Sequence, residues 1–435
     1  MIQLVVWTTV GFAAMQILMW LRRKIAGANE MARIRADLCS FVEGSRRIYA
    51  LFPPEYIIAP IEGNFISAAV ESSTAEGTKW MEMTESHVEQ VRRGLRLRIS
   101  QVSKTISTPV FRDALEYTQL KPGKMIRSRL VCLLGTELGI RSGASLMMLL
   151  SQAVELEHCA SLLHDDVVDD SDVRRGIESH RKKFGDKLAV LTGDNLISIL
   201  VEVLTEIANM QVTRAISQSI ESLVVGELLQ LISKKDSALN YTDRHVEILF
   251  PASIIGLVIS DPHLFDLLFL YMRKSFFKTA SLFATLCQCT GILALGRDSS
   301  GLASFGFFFG IAFQIIDDLL DVSDDSDILV GKPVGGVDIR NGTVTLPVLF
   351  ACSEKAKLAE SERNELKEMI QRRFSLGGDP ERTLQLVLKS DATALCRKLV
   401  NHYLNRCRAD LRAACKKETF PAIEQLLVEY EFRTH

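Results

Sequence analysis

Leu146-Met147-Met148-Leu149-Leu150-Ser151-Gln152-Ala153-Val154-Glu155-Leu156-Glu157-His158-Cys159-Ala160-Ser161-Leu162-Leu163-His164 runs directly into Asp165-Asp166-Val167-Val168-Asp169-Asp170. The first part is a long apolar run of good helix formers with no Gly or Pro, too long for an ordinary strand. Runs of the same kind recur at Lys187–Met210, Ser222–Ser233, Phe265–Leu295 and Ser304–Leu320. The alternating Val, Ile and Thr patterns of strands are nearly absent. Long helices with short joins predict an all-α chain built as one large helical bundle, several of whose helices are too apolar for a surface position.

Composition supports one large domain. The chain has 435 residues, with only 26 Gly and 11 Pro and no Pro/Gly/Ser-rich linker to divide it. Hydrophobic residues at 47 % exclude disorder as the main state. Lys plus Arg total 51 against 53 Asp plus Glu, a net charge of −2, so no general basic footprint for nucleic acid exists and phosphate binding must come from local clusters. The nine cysteines (39, 132, 159, 287, 289, 352, 396, 407 and 415) are odd in number, scattered, and form no CxxC. Reduced thiols in a core are expected, not disulfides or zinc.

The N-terminus reads separately. Met1–Leu21 carries no charge and is followed by Arg22-Arg23-Lys24. Leu4–Leu21 would reach ~27 Å as a helix, enough to cross a thin bilayer. Three readings stand: a membrane anchor, part of an organelle-targeting presequence, or a buried helix. The acid-poor, Arg-bearing stretch through Arg47 suits mitochondrial import, although transit peptides are usually more amphipathic. The expected organisation is residues 1–24 as a hydrophobic anchor or targeting segment, 25–84 as a poorly structured extension, and 85–435 as the helical domain.

Two acidic segments carry the chemistry. The second is Gln314-Ile315-Ile316-Asp317-Asp318-Leu319-Leu320-Asp321, and like the first it follows an apolar helix and contains DDxxD. On a helix, Asp165 and Asp169 share a face, as do Asp317 and Asp321. Like charges at that spacing repel by a few tenths of a kcal/mol, and apolar surroundings add a desolvation cost. A cation relieves both. All-carboxylate donors suit a hard divalent ion such as Mg²⁺, which takes one or two carboxylates plus waters and substrate phosphates. One DDxxD is usually a solvated helix end; two after apolar helices point to metal. No EF-hand loop occurs.

Basic residues near these motifs would hold the anion that such metals share. Arg174-Arg175 follow the first motif, and Lys124 and Arg127 in Gly123-Lys124-Met125-Ile126-Arg127 would share a helix face. Lys278-Thr279 lies in a run otherwise aromatic and apolar, and Gly331-Lys332 follows the second motif. Singly, each is more often a surface residue with a buried stem. Together they suggest diphosphate substrates.

These segments, with Phe277-Lys278-Thr279-Ala280 and Gly331-Lys332-Pro333, resemble the trans-polyprenyl diphosphate synthases in order and spacing over roughly residues 85–435. The tail Arg372-Arg373-Phe374-Ser375-Leu376-Gly377-Gly378-Asp379 resembles the mitochondrial long-chain branch, which makes the ubiquinone side chain. The resemblance implies the isoprenoid synthase type of bundle, with a central cavity. It implies that Asp165, Asp166, Asp169, Asp317, Asp318 and Asp321 hold three Mg²⁺ on an allylic diphosphate (farnesyl or geranylgeranyl). Arg174, Lys278, Thr279, Gln314 and Lys332 would contact that diphosphate; Lys124, Arg127, His158 and Arg175 would bind isopentenyl diphosphate. Without the resemblance, His158 would read as an ordinary core histidine.

The implied reaction needs no nucleophilic side chain. The allylic C–O bond ionises as diphosphate departs, the double bond of isopentenyl diphosphate attacks, and a proton is lost to the departed diphosphate. Apolar walls would keep water from the cation. Ala160 and Ser161, about one turn before Asp165, are small where short-chain relatives place aromatic floors. The shaft for the growing chain would then stay open, giving a product of about eight to ten isoprene units (about C40–C50). The bland reading of Ala160 is close helix packing.

Two positions depart from the family pattern: Ser128 stands where Pro is common, and Thr343 where many relatives carry a further Lys. Other readings are a terpene cyclase, a geranylgeranyl-type short-chain synthase, a non-catalytic subunit of a heteromeric synthase, and a membrane-tethered scaffold. Two intact DDxxD motifs favour chain elongation. The expected partners are a second copy or a second synthase subunit, with membrane association left open and nucleic acid excluded. The expected location is mitochondrial, in the matrix or at the inner membrane; the alternative is another membrane, reached through residues 1–21.

Overall fold

The computed structural model describes residues 74–119, 123–140, 144–235, 262–296, 300–322 and 336–432. Residues 1–24, with their competing anchor and targeting readings, lie outside the described residues, as does Lys332.

The chain is helical, as its periodicity predicts. The first described helix, α1 (Thr74–Thr105), leads into α2 (Pro109–Tyr117), α3 (Ile126–Glu137) and α4 (Ser145–Val168). A two-residue hairpin follows, β1 (Val173–Arg174) against β2 (Ile177–Glu178). Then come α5 (His180–Phe184), α6 (Asp186–Ile207), α7 (Met210–Lys235) and α8 (Pro262–Ser275). A π-helical turn, Phe276–Ala280, joins α8 to α9 (Ser281–Leu295), and α10 (Ser300–Val322) follows. The rest is α11 (Val337–Arg340), α12 (Leu346–Ala351), α13 (Glu360–Gln371), α14 (Asp379–Lys389), α15 (Ala392–Cys415) and α16 (Pro421–Phe432).

The helical domain begins earlier than expected. Residues 74–84, assigned from sequence to the unstructured extension, form the first turns of α1, and Trp80 and Met83 pack against the core. The small residues near Ser72–Thr78 hid this, because the stabilising contacts come from elsewhere in the chain.

Among the described residues, four stretches (Ser145–Val168, Asp186–Ile207, Leu264–Leu295 and Ser300–Val322) are long and apolar enough to cross a membrane. Their apolarity has a packing cause. α4 packs on α6, α9 on α10, and α10 on α15, so α10 is covered on more than one side. Gly306 and Gly310 allow that closeness: a Cβ on Gly306 would lie 2.3 Å from the Phe283 carbonyl oxygen, and one on Gly310 2.6 Å from Ala280 Cα. A Phe283, Phe305, Phe309 and Phe313 cluster fills the space around them. The eight described cysteines are free thiols, most of them buried, as expected.

Candidate active site

Both acidic motifs lie at helix C-termini. Asp165 and Asp166 are in the last turn of α4, Asp169 caps it, and Asp318 and Asp321 are in the last turn of α10. Neither last turn holds a basic residue. Carboxylates at the negative end of a helix are unfavourable by about 0.3–1 kcal/mol, so a cation is needed from elsewhere.

The six aspartates divide into two sets. Asp166, Asp318 and Asp321 are 2, 2 and 6 % exposed. Asp166 accepts from Arg174 Nε at 2.9 Å. Asp318 accepts from the Tyr271 hydroxyl at 2.7 Å and Gln314 Nε2 at 2.9 Å. Burial, then the charge of Asp338, pushes Asp318 up to about 7. Asp321 accepts the backbone N–H groups of Val337 at 3.2 Å and Asp338 at 3.1 Å, tying α10 to the start of α11. Asp165, Asp169 and Asp317 are the outer members; Asp169 and Asp317 are exposed.

The π-helical turn connects the two motifs. Lys278 Nζ forms an ion pair with Glu227 of α7, lies 3.9 Å from Asp165, and donates to Gln230 Oε1 at 3.1 Å. Gln230 Nε2 in turn donates to Asp169 at 3.0 and 3.2 Å. The next residue, Thr279, donates to Gln314 Oε1 at 2.7 Å, and Gln314 reaches Asp318. Successive residues thus address opposite motifs, which the wider π turn allows; such turns are frequent at functional sites. Gly226 permits the approach, since a Cβ there would lie 2.8 Å from Lys278 Cγ. Burial opposes the charge of Lys278, but Asp165 and Glu227 outweigh it and hold the amine above its ordinary value. Burial and Asp165 raise Glu227.

The second basic group also assembles. The backbone of Gly123 lies against Arg175: a Cβ there would be 2.7 Å from the guanidinium. Arg127 is buried at the start of α3, 4.9 Å from the centroid of the Phe283 ring. Burial and the charges of Arg127, Arg175 and Arg174 all hold His158 neutral, well below its usual value. The hairpin that carries Arg174 and Arg175 is anchored by Arg181, which reaches Asp172 and Asp186 at 3.0 Å and Asp170 at 3.1 Å.

One sequence expectation fails here. Lys124 and Arg127 do not share a helix face: α3 begins at Ile126, and Met125 sits at φ 50° in the left-handed region. Lys124 is exposed on the turn before the helix, next to the Gly123–Arg175 contact. Ser128 accounts for its departure from Pro, because its N–H and hydroxyl both donate to Glu155 Oε1, at 3.1 and 2.9 Å. Proline has neither donor. Ala160 is buried within the core and Ser161 is half-buried, its hydroxyl donating to the His158 carbonyl at 2.9 Å.

Sequence reasoning missed Glu227, Gln230 and Tyr271. A signal existed for the first two: they are polar residues three apart, on one face of an otherwise apolar segment.

The chain matches the polyprenyl synthetase family over residues 108–250 and 263–387. The chain belongs to that family. It is a prenyltransferase, and the two motifs, the π turn and the Arg127–Arg175 group all fall within the matched residues. This polyprenyl synthetase is 35 % identical over 329 residues to the human all trans-polyprenyl-diphosphate synthase, covering 74 % of this chain and 70 % of that protein. It is 34 % identical over 293 residues to the decaprenyl-diphosphate synthase of Dictyostelium discoideum, covering 67 % and 55 %. Its fold matches a decaprenyl diphosphate synthase from Rhodobacter capsulatus with a TM-score of 0.66 at 25 % identity, over 82 % of this chain and 99 % of that one. A polyprenyl synthase from Caulobacter crescentus, complexed with calcium and isoprenyl diphosphate, matches with a TM-score of 0.62 at 25 % identity, over 82 % and 98 %. The all-α bundle expected from sequence is therefore the family fold.

Among the described residues, no three His, Cys, Asp or Glu side chains form a ready-made metal cage. The donors available are carboxylate oxygens at two helix ends lacking basic residues, and they fit a hard divalent cation.

Proposed function

We propose that this polyprenyl synthetase adds isopentenyl diphosphate repeatedly to an allylic diphosphate, farnesyl or geranylgeranyl, and makes the long chain of ubiquinone. The observation that carries the reading is the Asp169–Gln230–Lys278–Asp165 cluster, joined through Thr279 and Gln314 to Asp318. It links cationic and carboxylate groups of both motifs through two successive residues of the π turn.

Asp165, Asp169 and Asp317 would hold the Mg²⁺ ions, and Asp166, Asp318 and Asp321 would fix the helix ends behind them. Bound Mg²⁺ would stabilise charge on the departing diphosphate. Lys278 stays protonated to meet the same charge, and Thr279 and Gln314 orient around it. Lys124, Arg127 and Arg175 would bind isopentenyl diphosphate, with the neutral His158 beside them. Aromatic walls from Phe283 and its neighbours would exclude water.

The product of about eight to ten isoprene units rests on the small size of Ala160 and Ser161 ahead of the first motif; Ala160 itself is buried in the core. Helix α6 supports an oligomer, homodimeric or heteromeric: half of its most apolar stretch is unburied, and Leu191 is 51 % exposed. Relatives from Yarrowia lipolytica and Saccharomyces cerevisiae are hexaprenyl pyrophosphate synthases named as mitochondrial, and we place this chain in the same organelle.

The test is to supply the full chain with Mg²⁺, labelled isopentenyl diphosphate and farnesyl diphosphate and to size the products. A ladder ending at one long chain is expected. A product stopping at geranylgeranyl diphosphate would overturn the open shaft, and no incorporation by folded protein, alone or with a second synthase subunit, would overturn the reading.

A further inference from the structure

A recess beside the second aspartate motif is lined by Gln230, Tyr271, Lys274, Gly342, Thr343 and Arg373, among others. It shares two walls with the active site. Gln230 bonds Asp169 and Lys278, and Tyr271 donates to Asp318. Lys274 stands one helical turn before Lys278; burial lowers its amine from the ordinary value, opposed by the charges of Asp318, Asp338 and Glu227. The recess is thus the flank of the place where the allylic diphosphate would sit.

Arg373 reaches it by an uncommon route. After α13 the chain reverses with Arg373 and Phe374 both at φ 55°, two successive non-glycine residues in the left-handed region. Each costs about 1–2 kcal/mol there. The turn is held by burial of Phe374, by N–H bonds from Arg373 to the Ile370 carbonyl (3.0 Å) and from Phe374 to the Met369 carbonyl (2.9 Å), and by the two-pronged pair of Arg372 with Asp379 (2.7 and 2.8 Å). Gly342 packs against the Arg373 carbonyl, where a Cβ would meet it at 3.5 Å. A glycine at 373 would make the same turn without strain. What arginine adds is a cationic side chain among the residues lining the recess, where Thr343 brings no charge.

We propose that Arg373, together with Lys274, binds the allylic diphosphate from the side of the second aspartate motif. This rests on the prenyl-transfer reading above. A diphosphate beside Asp317, Asp318 and Asp338 needs cations from the protein as well as from metal, and the planar fork of arginine matches phosphate oxygens in pairs. Thr343 then marks a place where the cation has moved from one wall of the recess to another.

The experiment compares Arg373→Asn, Arg373→Lys and Arg373→Asn/Thr343→Lys in the full-length enzyme. Asparagine tolerates the left-handed backbone, so the turn survives while the charge goes. Wild type is assayed first, and failure to incorporate isopentenyl diphosphate there would overturn the prenyl-transfer reading itself. In an active enzyme, Arg373→Asn should raise KM for farnesyl diphosphate, and the inhibition constant of inorganic pyrophosphate, by about tenfold or more. KM for isopentenyl diphosphate should hold and the thermal midpoint should not fall. Arg373→Lys should lose less, and Thr343→Lys should restore most of what Arg373→Asn loses. Unchanged KM for farnesyl diphosphate in Arg373→Asn overturns the proposal. So does a fall in thermal midpoint with both KM values shifting together and no rescue by Thr343→Lys, which would make the arginine part of the turn's structure only.

Discussion

Gly226→Ala separates the placement of Lys278 from the stability of the bundle. An alanine Cβ would lie 2.8 Å from Lys278 Cγ, 3.0 Å from Phe277 Cβ and 3.1 Å from the Lys278 backbone nitrogen. Comfortable carbon contacts are about 3.5–4.0 Å, so the π turn must retreat by several tenths of an ångström. Two of the three obstacles are Cβ or backbone, which cannot rotate away. Overpacking of this size costs about 1–3 kcal/mol, while Gly→Ala within a helix returns about 1 kcal/mol. The net effect on stability is then at most about 2 kcal/mol, a fall in melting temperature of a few degrees for a chain this large. Activity should suffer more. Displacing Lys278 and Thr279 together disturbs contacts to both aspartate motifs, and misplacements of this order cost about tenfold or more in rate. The assay is steady-state incorporation of labelled isopentenyl diphosphate alongside thermal unfolding. Gly377→Ala, which introduces a Cβ with nothing within 4 Å, sets the baseline. Full activity in Gly226→Ala would refute the reasoning, because it would show that the close approach of α7 does not position Lys278. A collapse of stability beyond ~10 °C would refute it equally, since the two opposing terms would then not be near balance.

The inner and outer aspartates should part company in the same assays. Asp165→Ala and Asp169→Ala should cut turnover by about 10²-fold or more and relieve charge repulsion, leaving the melting temperature without metal unchanged or slightly raised. Asp318→Ala leaves the buried Tyr271 hydroxyl unpaired and should lower stability by about 1–3 kcal/mol as well. Stripping divalent metal with chelator should stop turnover until Mg²⁺ is restored; turnover persisting without metal would sink the assignment. Ala160→Phe should shorten the product, read on chromatographed chains from folded protein; unchanged length would place the floor elsewhere. Buried His87, bonded to Ser151 at 2.9 Å, is lowered by burial to about 4 against an ordinary 6.5. Because the unfolded chain takes up this proton first, stability is lost as pH falls from about 6.5 to 4, by up to about 3 kcal/mol. His87→Gln should flatten that part of a melting-temperature profile, and an unaltered slope would show that other groups carry it.

What could be read in advance follows from the range of the interactions involved. The runs Leu146–His164 and Ser304–Leu320 lie inside α4 and α10, because an uninterrupted apolar stretch of helix formers is a local property. The identity of the acidic residues was equally local, so both DDxxD motifs were visible. Their orientation was not. Asp321 is turned inward by the backbone of Val337 and Asp338, and Asp318 by Tyr271 of another helix, and no spacing rule within Gln314–Asp321 contains either fact. Lys124 shows the same limit from the other side: an i, i+3 argument presupposes a helix, and the left-handed Met125 ends the presumption one residue before α3 starts.

The π turn is the sharpest case. Nothing in Phe276-Phe277-Lys278-Thr279-Ala280 distinguishes it from the helices on either side, since its residues suit an α-helix as well. The extra residue is accommodated where α7 comes close at Gly226, and it lets Lys278 face Asp165 and Glu227 while Thr279 faces Gln314. In a regular α-helix, neighbours in sequence project about 100° apart, and their directions are fixed by the helix as a whole. Addressing two carboxylate clusters from two adjacent residues therefore asks for a local change of pitch. The glycine that permits it lies some fifty residues earlier in the chain, so the geometry of the site is stored in a contact and not in a motif.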